Sequence, residues 1–190
     1  RRQPAGGAAA PAAAGGKRGG LSFEAVLQDL EGSEVSGFGG AFAALAAGGP
    51  FVQPDHEGLR DFLVSHSAIS MADVDTELLK VATQNEGFNV DCDAFLALLR
   101  ENPLADDDAL EQFLTLSSNG ESISGEDCRS GLFNLAEQKL GSTLKGEQLE
   151  RIFDAVMVNV GVNVSMEEWI NCSKRVARIV RLLRYAKITG

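Results

Sequence analysis

The sequence predicts an all-α protein made of four helix–loop–helix units in two pairs, closed by a basic C-terminal helix. Three observations carry that prediction. A Gly-x-x-[Val/Ile] kernel occurs at Gly49–Val52, Gly87–Val90, Gly120–Ile123 and Gly161–Val164, with its β-type residues 38, 33 and 41 positions apart. A period in the thirties marks a small supersecondary unit used repeatedly. The kernels lie between stretches of apolar residues at helical spacing. Finally, no strong breaker appears from Ser165 to Ile188, so the last helix exceeds twenty residues and spans roughly 30 Å at 1.5 Å per residue.

Residues 1–20 are Ala, Gly, Pro and base, which cannot bury enough apolar surface to offset chain entropy, so a disordered leader is expected there. The chain does not begin with Met, which suggests processing or a piece of something longer. The N-terminal lobe is assigned to 21–104. Leu21, Phe23, Val26, Leu27 and Leu30 suit a short amphipathic helix, Ser36–Gly40 should interrupt it, and a weak helix resumes over Ala41–Ala47. After the first kernel, Asp55–His66 carries Leu59, Phe62 and Leu63 on one face. Ser70 or Asp73 opens the next helix, Asn85–Gly87 turns, and Asp91–Arg100 returns with Phe95, Leu96, Leu98 and Leu99 inward. Pro103 stops that helix and leaves 101–106 as the link to a C-terminal lobe, 105–173. In that lobe a helix from Asp107 runs to a turn at Ser117–Glu121, and a second helix leaves from Ser124. Ser165 with Glu168 three residues on forms a capping box at the start of the last helix. The basic helix proper is 174–190.

Charge narrows the function classes. All 27 acidic residues lie in 21–173 beside seven basic ones, between a leader of +4 and a tail of +6 that contain no acid. An acidic body repels nucleic acid, so none is expected as a partner, and it attracts basic partners. Three widely spaced cysteines, Cys92, Cys128 and Cys172, with no CxxC, argue for a reducing compartment. A cytoplasmic location is expected, or an organelle reached after N-terminal processing. His56 and His66 have no nucleophile or metal-spacing partner near them in sequence, so a non-catalytic protein is predicted.

Helix, short loop, one paired β residue and helix, repeated four times, resembles the EF-hand superfamily, nearest in layout to calmodulin and the myosin light chains. The resemblance implies two pairs of EF-hand-like units, with Val52 set against Val90 and Ile123 against Val164, a habit that the odd–even alternation of the units fits, and a loop with oxygen ligands at positions 1, 3, 5, 9 and 12. With each kernel residue set at position 8, no loop places more than one carboxylate at a ligand position. The fourth window, Met157–Glu168, offers only Glu168, whose simpler role is the helix cap. The units are therefore degenerate, and neither calcium nor any other cofactor is expected. What the resemblance then implies is a lobe that grips an amphipathic helix of a protein partner in a Phe-, Met- and Leu-lined groove. The candidate groove residues are Phe113, Leu116, Phe153, Met157, Met166 and Trp169.

In the tail Arg175, Arg178, Arg181, Arg184 and Lys187 recur every three residues among Val, Ile and Leu. On an α-helix that interval winds the cations around the axis as a spiral. The pattern is similar to the arginine-bearing helix of voltage sensors, though no accompanying hydrophobic segments are present. The favoured expectation is docking on the acidic body or on an acidic partner. The functional expectation is a calcium-insensitive, calmodulin-like or light-chain-like subunit holding a helix of a larger assembly. Two alternatives stay open: a calcium sensor with one weak fourth site, and a membrane- or channel-associated regulator whose Arg helix meets an anionic surface.

Overall fold

The computed structural model describes residues 27, 28, 32 and 34–189, with side chains to residue 186; the expected leader, most of the helix at 21–30 and the side chain of Lys187 lie outside the described residues. The chain is predominantly helical, with two short two-stranded ladders. A π-helical turn, Val35–Gly39, runs into α1 (Gly40–Leu45), followed by β1 (Phe51–Val52) and α2 (Glu57–His66). Then come α3 (Val74–Ala82), β2 (Val90–Asp91) and α4 (Cys92–Glu101). The second half contains α5 (Asp106–Leu116), β3 (Ser122–Ser124) and α6 (Gly125–Asn134), which continues as a π turn over Leu135–Lys139. It ends with α7 (Gly146–Val156), β4 (Asn163–Ser165) and the 24-residue α8 (Met166–Thr189).

The ladders take the expected register. Antiparallel β1–β2 sets Val52 opposite Val90, and β3–β4 sets Ile123 opposite Val164. All four residues are buried, which fixes the register because a one-residue slip would turn them to solvent. Gly87 and Gly120 turn their loops with φ of 92° and 74°, conformations that suit glycine.

The N-terminal core holds Phe38, Phe42, Leu59, Leu63, Leu78 and Val90, together with the inward face of α4: Phe95, Leu96, Leu98 and Leu99. The C-terminal core holds Phe113, Ile123, Cys128, Leu132, Ile152, Phe153 and Trp169. A small cluster of Leu104, Ala109, Leu135 and Ala177 lies between them. Leu27, assigned by sequence to the N-terminal lobe, packs in the C-terminal core.

One sequence expectation is corrected by the fold. Ser36–Gly40 does not interrupt a helix: it is helical, mostly as the π turn. Gly37 faces α8 closely, with a Cβ built there 2.9 Å from Leu182 Cδ2. Tertiary packing of Phe38, wholly buried, outweighs the weak helix propensity of three glycines. The last helix runs unbroken from Met166 to Thr189, through the boundary set at 173 and 174, and buries apolar residues along both of its halves.

Candidate functional site

The loops come first, because the EF-hand resemblance places metal there. In the second, Asn85 Nδ2 donates to the Asn89 carbonyl at 3.1 Å, and Asp91 Oδ1 accepts from the Ala94 amide at 2.8 Å as a helix cap. In the third, Asn119 Oδ1 accepts from the amides of Glu121 and Ser122 at 2.9 and 3.1 Å, and Ser124 caps α6 through the Asp127 amide. In the fourth, Glu168 Oε2 accepts from both the Ser165 amide at 2.8 Å and the Ser165 hydroxyl at 2.9 Å, while Ser165 Oγ accepts from the Glu168 amide at 3.3 Å. That is a reciprocal capping box. The bonds from Ser165, the backbone one foremost, hold the Glu168 carboxyl below the usual carboxylate range. Among the described residues no three His, Cys, Asp or Glu side chains cluster as a metal-holding group. The oxygen-rich, multiply anionic donor set that calcium takes is not what these loops contain, so the residues do not fit the ion.

The second feature is α8, which both lobes enclose. Its first half completes the C-terminal core: Trp169, Cys172, Val176, Ile179 and Val180 are buried there. Trp169 is wholly buried, and its indole Nε1 donates to the Ala109 carbonyl at 2.7 Å. Its second half enters the N-terminal core through Leu182 and the partly buried Tyr185. Tyr185 meets Phe38, Phe62 and His66 at ring-centroid distances of 5.0, 5.7 and 5.5 Å.

The arginine spiral gives each cation a different neighbour. Arg175 donates to the Ala155 carbonyl of α7, Arg178 to Glu34, Arg181 to the Leu99 and Asn102 carbonyls at the end of α4, and Arg184 to the Leu140 carbonyl. Glu34 is wholly buried and pairs with both Arg178, at 2.9 Å, and Arg100 of α4. Arg181 is only 9% exposed, lies 5.8 Å from the centroid of the Phe38 ring, and burial pushes its pKa down to about 10. Among the described residues no helix is long and apolar enough to cross a membrane.

The six candidate groove residues do not line an open groove. Phe113, Phe153 and Trp169 are fully buried in the lobe's own core, Leu116 and Met157 are partly buried against it, and only Met166, 37% exposed, faces solvent substantially. The apolar seat they belong to is filled by α8, on which Met166 and Trp169 themselves stand. Sequence reasoning missed Glu34 and the ring cluster around His66. Neither has a local signature, since both arise from contacts between residues distant in the chain. Comparison of the chain with protein-family models, curated proteins and solved structures finds no match, so the functional reading rests on these residues and their geometry.

Proposed function

We propose that this chain is a non-catalytic, calcium-insensitive subunit of the EF-hand-like kind, calmodulin-like or light-chain-like in layout. Its two lobes hold an amphipathic helix, and in this closed form they hold α8. The observation that carries the reading is the seating of one basic helix in both apolar cores, with its arginines bonded to both halves of the chain. The paired kernels and the capped, carboxylate-poor loops support it as well. In that reading a helix of a partner takes the place of α8, or α8 is exchanged between copies.

The test uses the full chain and Trp169, the only tryptophan. Its emission and the melting temperature are expected to be the same in excess chelator and in millimolar calcium; a calcium-induced rise in melting temperature would restore the sensor alternative. A labelled peptide of residues 166–188 is then added. Because the tethered α8 competes at high effective concentration, uptake should be weak in the parent and stronger in Glu34→Gln, which loosens the Arg178 and Arg100 pairs. A scrambled peptide of the same charge should not bind. No uptake by either protein would overturn the helix-holding reading.

A further inference from the structure

Where the lobes meet there is a cavity of about 150 Å³ whose cationic lining the helix-holding role does not require. Its floor is Ala177, Val180 and the buried Arg181 of α8; its rim includes the exposed Ser65, Lys139 and Arg184, so it opens to solvent. His66, half-buried, completes a ring of four basic side chains, and no Asp or Glu lines the cavity among the described residues.

The charges on this lining are poorly compensated. Arg181 Nη2 donates to the Leu99 carbonyl at 2.7 Å and Nη1 to the Asn102 carbonyl at 3.4 Å, both uncharged acceptors, and its buried Nε has no partner. The carboxylate whose charge acts on it, Glu34, is bonded instead to Arg100 and Arg178. Arg184 Nη1 likewise donates to a neutral carbonyl, that of Leu140, at 2.9 Å. Among the described residues, only Lys139 of this lining has an acid in contact, an exposed pair with Asp108 at 3.0 Å. A buried guanidinium without a counter-ion is costly, and buried charges are normally paired.

We propose that this inter-lobe cavity is a binding site for a small oxyanion of the phosphate class, held by Arg181, Arg184, Lys139 and His66. Guanidinium groups match tetrahedral oxyanions through forked donors, and the lysine adds a mobile point charge. The size suits such a ligand. At about 30 Å³ per liquid water the space holds roughly five waters, enough for an oxyanion and some hydration. It is well short of the roughly 300–1,000 Å³ of a drug-sized site. The depressed proton affinity of His66, caused by its burial and then by the charges of Arg181 and Arg184, agrees with a net positive field there. Because the lining comes from α2, α8 and the turn after α6, the bound anion ties both lobes to α8.

The first measurement is the melting temperature of the full chain in inorganic phosphate, against chloride at matched ionic strength. A saturable rise with phosphate alone is expected, and its loss in the rim variant Lys139→Gln/Arg184→Gln. Lys80→Gln, exposed and remote, should retain the rise. The second measurement follows the His66 imidazole by NMR titration: bound phosphate should move its pKa upward, a readout that does not depend on global stability. A parallel arm replaces phosphate with phosphatidylcholine vesicles containing phosphatidic acid, beside pure phosphatidylcholine. Protection by free phosphate assigns a soluble ion, whereas protection by the phosphatidic acid vesicles alone assigns a lipid headgroup. Neither protection nor a His66 shift from either source would overturn the proposal, as would a phosphate effect that survives intact in the rim variant.

Discussion

Gly131 stands in the middle of α6 with the Trp169 ring where its side chain would begin. A Cβ built there lies 2.8 Å from Trp169 Cη2 and closer still to the Leu116 side chain. The Leu116 methyl can rotate away, but the indole is held by its bond to the Ala109 carbonyl and by the core around it. Gly131→Ala therefore sets two effects against each other. Alanine gains about 1 kcal/mol of helix propensity over glycine, and overpacking a filled core costs about 1–3 kcal/mol. The expected outcome is a net loss of about 1 kcal/mol, read from the urea midpoint, with Trp169 emission altered in the folded state. An unchanged emission together with a stability gain would mean that the helices part easily at this point. Glu34 poses the opposite case at the same scale. Its carboxylate is wholly buried while Arg100 and Arg178 stay partly exposed, so it needs both cations more than they need it.

At the scale of elements, the contact between α2 and the last described turns of α8 is sensitive to pH through His66. The imidazole packs at 4.3 Å from Phe62 and 5.5 Å from Tyr185, centroid to centroid, and Arg181 and Arg184 face it from α8. Burial and those two cations lower its pKa in the folded chain below its ordinary value of 6.5. The unfolded chain then takes up the proton first as pH falls, so the stability held by neutral His66 is fully present above about pH 6.5 and is lost toward the folded pKa. Urea midpoints at pH 7.5 and 5.5 should differ more in the parent than in His66→Phe, which keeps the ring and removes the titration. Equal differences would show that carboxylates alone set the acid limb. Elements like α4 were legible in the sequence because their signals are local: Asp91 caps, Phe95, Leu96, Leu98 and Leu99 repeat, and Pro103 stops. The Ser165–Glu168 box and both kernel pairs were legible for the same reason, since a cap spans three residues and a ladder needs only one β-type residue per loop. Ser36–Gly40 reads locally as a break because what packs against it, Tyr185 and Arg181 around the buried Phe38, lies far along the chain. The pair from Arg178 to Glu34 spans 144 residues, and no window of sequence contains it.

At the scale of the whole molecule, α8 is the element shared by both hydrophobic cores. Cores of this kind would ordinarily be joined only through the short link at 102–105, and Leu104 with Ala109, Leu135 and Ala177 forms only a small cluster there. What crosses between the lobes is Trp169 through Val180 on one side, and Leu182 and Tyr185 on the other, within one rigid helix. The sequence showed that this helix is basic, but not that its apolar residues divide between two cores. The expected behaviour of the full chain is a single unfolding transition, with Trp169 emission and amide protection in α2 to α4 lost together. Truncation after Ala177 should separate them. It removes Leu182 and Tyr185 from the N-terminal core, leaves Glu34 without Arg178, and retains Trp169, Cys172 and Val176 in the other lobe. Hydrogen exchange should then show α2 to α4 opening at far lower free energy than α5 to α7, while Trp169 still reports a cooperative, weakened melt. If the truncated chain kept equal protection in both halves, α8 would be a passenger on a body already joined by its other contacts. The poorly compensated cations of the inter-lobe cavity would then need no part in holding that body together.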